Sequence, residues 1–209
     1  MQIRVIPVTP FEQNCSLLIC PETKKAAVVD PGGDINKILT AIKEHNVVVE
    51  KILLTHGHMD HVGATQELAE TLNINIEGPH IADKFWLDQL PMQGQMFGFP
   101  EIPPFEPQRW LQHQDTVTFG AQQLQVLHTP GHTPGHFVFS HTDSKQVIVG
   151  DVLFSGSIGR TDFPQGDFET LMTAIKTQLW TLADDTVFFP GHGPTSTIGH
   201  EKRTNPHIR

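Results

Sequence analysis

The chain contains no tyrosine, only two cysteines in 209 residues, and 14 lysines and arginines against 23 aspartates and glutamates. That deficit of cations gives a formal net charge of -9, which disfavours non-specific binding to nucleic acid or to an anionic membrane surface. No apolar run approaches the ~20 residues of a membrane span, and the opening MQIRVIPVTPFEQ lacks the apolar core of a secretory signal. A cytoplasmic location with no membrane or nucleic-acid partner is therefore expected. Cys15 and Cys20 lie in NCSLLIC, which reads as a strand. Their odd separation sends them to opposite faces, so no disulfide is expected between them, and they read as small buried hydrophobes.

What the chain does have is alternation. Short apolar runs at 2–8, 15–20, 26–29, 47–54, 124–127, 146–149 and 186–189 are interrupted by helical periodicity, the pattern of an α/β layered fold. The length suits one buried core, so a single domain over 1–209 is expected. One helix is signalled by Asp34 as N-cap followed by Ile35, Ile38, Leu39 and Ile42; a second carries Val62, Leu68, Ala69 and Leu72. A third runs over 168–182 behind an Asp167 cap, with Phe168, Leu171, Met172, Ile175, Leu179 and Leu182 on its inner side. Residues 91–107 show no period and read as a long loop, either a surface cover or an apolar wall beside a site.

Four apolar runs end in residues that bind metals: KILLTHGHMDH, LQVLHTPGHTPGH, QVIVGD and TVFFPGHG. In open α/β sheets such strand ends converge on a ligand site. His56 and His58, two residues apart in an extended segment, project to one side and can grip one ion, with His132 as a third ligand. Asp60, His61 and His192 form a second set, and Asp151 can bridge the two. Three protein ligands plus a bridge leave room for water, which favours a catalytic over a closed structural site.

His-x-His-x-Asp-His at 56–61, Gly-His at 131–132, Asp151 and Pro-Gly-His at 190–192 resemble the metallo-β-lactamase-fold superfamily. HTPGHTPG at 128–135 and GDVLFSGSIGRTDFP at 150–164 are similar to its glyoxalase II branch, particularly short bacterial members. The resemblance implies an αββα sandwich (α/β, four layers) and a cytoplasmic hydrolase that cleaves a thioester, S-lactoylglutathione, to lactate and glutathione. Two divalent ions are implied, zinc first, with iron or manganese as alternatives, acting through a bridging metal hydroxide. Asp60 would orient or deprotonate the nucleophile, and Asp151 would bridge. Aspartate at 151, where common β-lactamases of this fold carry cysteine, argues against antibiotic hydrolysis. No counterpart is expected here of the helical domain with which full-length glyoxalase II helps hold glutathione, and the tyrosines of those enzymes are absent from the sequence. Arg160, Lys202 and Arg203 are accordingly the candidates for binding a substrate carboxylate, with Arg209 adding to the basic tail.

Asp30 reads as a structural or supporting carboxylate, and His128 and His136 as packing or supporting residues. His45, His80, His113, His141, His200 and His207 have no ligand spacing. The alternatives are a persulfide dioxygenase with one iron, which shares Arg-Thr-Asp-Phe at 160–163, another ester or phosphodiester hydrolase of the fold, and a non-catalytic metal-binding protein.

Overall fold

The computed structural model describes residues 1–99 and 101–208. A five-stranded sheet is built, in spatial order, from β1 (Gln2–Val8), β2 (Gln13–Ile19), β3 (Lys25–Val29), β4 (Val48–Leu53) and β5 (Asn75–Glu77). The first three strands pair antiparallel, and β3, β4 and β5 run parallel. Parallel neighbours need crossovers. Helix α1 (Ile35–Glu44) supplies one, and α2 (Met59–Val62) with α3 (Thr65–Leu72) the other. Helices α4 (Lys84–Asp88) and α5 (Leu90–Phe97) then lead to β6 (Thr116–Phe119), β7 (Gln122–His128), β8 (Phe137–His141) and β9 (Gln146–Gly150). A hairpin of β10 (Leu153–Phe154) and β11 (Ser157–Ile158) follows, then α6 (Phe168–Ala174), β12 (Val187–Pro190), β13 (Ser196–Thr197) and α7 (Ile198–Thr204). The second sheet has the order β13-β12-β9-β8-β7-β6, with β12 parallel to β9.

Alternation along the strands creates the four layers. Leu18, Ala27, Val29 and Leu53 of the first sheet meet Leu124, Val126, Phe137 and Ile148 of the second in one buried cluster between the sheets. Their neighbours Leu17, Ala26, Val28 and Ile52 face the other way, against Ile38 of α1 and Leu68 of α3. On the far side Leu127, Val138, Val147 and Val149 pack on Leu171 and Ile198 of α6 and α7. Cys15 of β2 and Cys20 just past its end pack into different clusters, both buried and both free. Among the described residues no helix is long and apolar enough to cross a membrane.

Several local expectations need correction. Asp34 does not cap α1: it sits in the left-handed region at φ 49, and its carboxylate instead accepts Thr9 N–H at 3.1 Å and Lys37 Nζ at 2.7 Å. The helix after the histidine motif is interrupted at Gly63–Ala64, where Ala64 N–H donates to Pro31 O at 2.9 Å. Residues 91–97 of the expected loop are helical, with proline in the first turn, where its missing N–H costs nothing, and left-handed Gly98 as stop. Asp167 does cap α6, accepting Thr170 N–H at 2.7 Å, and the helix continues as a π-turn over Ile175–Leu179. Phe168, however, is exposed.

Candidate metal centre

Four strands, β4, β7, β9 and β12, deliver ligand-type residues at the same edge of the sandwich. The chain leaves β4 and turns at once into Thr55–His61; His132 lies beyond β7; Asp151 follows β9 directly; and His192 lies just past β12. Pro190 pairs with Gly150, so Asp151 and His192 emerge side by side. Glycine is required at this crossing: a Cβ on Gly191 would overlap Asp151 Oδ1 and crowd His61.

His56 Nε2 and His132 Nε2 each lie 3.1 Å from His58 Nδ1. Two nitrogens bound to one tetrahedral ion are separated by about 3.3 Å, so these atoms are spaced as ligands. Asp60, His61 and His192 make a second group, with His192 Nε2 at 3.2 Å and His61 Nε2 at 3.9 Å from Asp60 Oδ2. Asp151 spans the groups: Oδ1 is 3.4 Å from His61 Nε2, and Oδ2 is 3.8 Å from His132 Nε2 and 3.7 Å from His192 Nε2. His61 Nε2 and Asp151 Oδ1 are buried without a hydrogen-bond partner, as is suitable for atoms that face a cation.

On four of the five histidines the other ring nitrogen is fixed from behind, which sets tautomer and orientation, whereas His58 Nε2 is buried without a partner. His61 Nδ1 faces Asp30 Oδ2 at 2.9 Å, His56 Nδ1 faces Thr55 Oγ1 at 3.0 Å, and His132 Nδ1 donates to Arg160 O at 2.8 Å. His192 Nδ1 donates to Phe11 O at 3.2 Å. Asp30 is itself held by Thr55 N–H and hydroxyl at 2.8 and 2.6 Å. His136 accepts Asp151 N–H at 3.1 Å, and Gly150, at φ 49, is too close to that imidazole to carry a side chain. Asp83 gave no signal in the sequence. It accepts Gly57 N–H at 2.9 Å, Thr133 Oγ1 at 2.8 Å and Gly135 N–H at 2.5 Å, tying together the two loops that carry His56, His58 and His132.

Burial, reinforced by neighbouring imidazoles, holds His56 and His58 well below the usual histidine range, so both are in the neutral ligating form. Burial pushes Asp151 up, yet His61, His132 and His192 outweigh it and keep it well below the carboxylate range. Burial likewise opposes charge on His61, but Asp151 and Asp60 raise it well above the usual value. One group is thus a neutral nitrogen donor set and the other combines imidazole with carboxylate. Both suit a borderline divalent cation.

Residues 8–192 match the Metallo-beta-lactamase superfamily. Over 209 residues the chain is 47% identical to the hydroxyacylglutathione hydrolase GloC of Haemophilus influenzae, covering all of this chain and 98% of that protein. The chain belongs to the metallo-β-lactamase superfamily. Its fold matches the crystal structure of the BLEG-1 B3 metallo-beta-lactamase with TM-score 0.91 and 34% identity, covering 99% of each chain. It matches TTHA1623 in a di-iron-bound form with TM-score 0.89 and 36% identity, covering 98% of this chain and 100% of that one. The expected αββα sandwich is the observed one.

A cavity of about 640 Å³ opens over the two groups. His58, Asp60, His132, Asp151 and His192 form its floor. Arg160 is at its rim, but Nε and Nη2 each donate to Asp162 at 2.6 Å, and the guanidinium lies 4.3 Å from the centre of the Phe163 ring. Lys202 and Arg203 do not line this cavity. They sit on α7 and pair with Asp184 at 2.9 and 3.7 Å, so the expected role of the basic tail in the site needs correction. Arg209 lies outside the described residues.

Proposed function

We propose that this protein is a cytoplasmic metal-dependent hydrolase of the glyoxalase II type that cleaves thioesters, S-lactoylglutathione foremost, and that residues 1–209 act as one domain. The observation that carries the reading is the position of Asp151, whose two oxygens face both three-residue groups. His56, His58 and His132 would hold one divalent ion and Asp60, His61 and His192 a second, with Asp151 between them; zinc is the first choice and iron the alternative. Two such ions, when bound, acidify water and polarise a carbonyl.

The chain's own residues do the rest. Asp60, the less buried of the two floor carboxylates, would orient water and accept its proton. Oxygen adds to the acyl carbon, the C–S bond breaks, and carboxylate and thiol leave; one water is consumed and one proton released. The 47% identity to GloC supports this substrate class. The B3 β-lactamase neighbour favours a second reading, β-lactam hydrolysis, despite aspartate at 151.

The test is elemental analysis of protein purified without added metal, followed by thiol release from S-lactoylglutathione, β-lactam hydrolysis, and oxygen uptake with glutathione persulfide. Metal-dependent thiol release supports the proposal. Turnover of a β-lactam or persulfide without thioester cleavage overturns it.

A further inference from the structure

The wall of the cavity is more apolar than a lactoyl group needs. On one flank, Met92, Met96 and Phe97 project from α5 with relative exposures of 51%, 70% and 51%, and Phe11 beside them is 43% exposed. Phe11 stacks on Phe99 at 5.4 Å and meets Phe97 edge-on at 5.9 Å. Its carbonyl holds His192, and Phe154 lies 6.5 Å from the same imidazole, so this apolar sector reaches the floor of the site.

Apart from Gln89 and Ser157, which also line the cavity, the sector offers little to polar groups. Gln93 has both ends of its amide engaged, with Met59 N–H at 3.1 Å and Trp86 O at 2.7 Å. Arg160, the one lysine or arginine in the lining among the described residues, lies at the other end near His132 and is paired with Asp162. Large apolar side chains left exposed around a reactive floor mark a binding surface for an apolar group, and methionine adapts to groups of varied shape.

We propose that the preferred substrates are thioesters whose acyl group is apolar and longer than lactoyl, packing on Phe11, Met96 and Phe97. This rests on the thioester reading and specifies its acyl half. Each methylene buried against the wall should raise kcat/KM by up to about fourfold.

The experiment measures kcat/KM of the metal-loaded protein for S-acetyl-, S-butyryl-, S-hexanoyl- and S-lactoylglutathione, alongside a Met96→Ser/Phe97→Ser double variant. A rise with acyl length that is flattened in the double variant supports the inference. Thioester hydrolysis with a flat or falling dependence on length overturns it and leaves the thioester reading standing. A rise that persists unchanged in the double variant removes α5 as the acyl surface. Failure to cleave any member of the series defeats the thioester reading itself.

Discussion

The buried carboxylate of Glu201 accepts the backbone N–H of Gly156 at 2.9 Å, fastening the C-terminal helix to the turn of the β10–β11 hairpin. Its other oxygen accepts Ser196 Oγ at 2.6 Å, and Asn205 Nδ2, held by Glu201 at 2.9 Å, donates to Ser157 O at 3.0 Å. Phe154, Ser157 and Ile158 of that hairpin line the cavity. Glu201→Ala removes the acceptor of three donors, two of them part-buried and one buried, and should cost roughly 1–3 kcal/mol. Thermal unfolding should show the loss, and KM should rise more than kcat falls, since the hairpin positions substrate rather than the metal ligands. An unchanged KM would separate the hairpin from substrate binding.

Metal stoichiometry distinguishes the two groups. Zinc-saturated wild type should bind close to two ions, His61→Ala or His192→Ala should each lose one, and His56→Ala should empty the other position. Elemental analysis after gel filtration reads this directly, and a wild type that never exceeds one ion contradicts the paired arrangement.

Asp151→Ala removes a side chain that faces both groups. Thioester hydrolysis should fall by at least about a hundredfold, while circular dichroism stays that of the wild type. Near wild-type turnover would show that nothing depends on the bridge.

Asp83 links stability to pH. Burial pushes its carboxyl from 3.8 up to about 7, against three donors that favour the ionised form. The folded state therefore binds the proton more tightly than the unfolded one between these values, and this group's contribution is full below the lower and lost as pH rises through the upper. Urea unfolding of metal-free protein across pH 4–8 should show that loss, with a shallower slope in Asp83→Asn. The amide presents one acceptor to three donors, so the variant should also be less stable at pH 5 and bind the first ion more weakly.

The sandwich and the centre were legible because both follow local rules. Alternation assigned the strands and left His56, Asp151 and His192 at their ends. β8 was missed because its apolar Phe137–Phe139 stretch abuts the histidine-rich turn, and β6 because Thr116 and Thr118 dilute its pattern. α5 was hidden by proline and glycine, which this helix carries at its start and in its middle. Asp83 acts through backbone groups 26 and 52 residues away, and Glu201 through one 45 residues away, separations that no spacing rule reveals. The tail is basic in composition, but Asp184 absorbs Lys202 and Arg203.

Where the ligand-type residues sit has a consequence for how such a protein can change over evolutionary time. They are rooted in strand ends cross-braced by two sheets, whereas the cavity wall belongs to α5, the β10–β11 hairpin and residues 160–164. Substitutions in that wall can redirect which molecules are accepted while the reactive machinery is inherited intact, so neighbours with one floor can diverge in diet long before they diverge in fold.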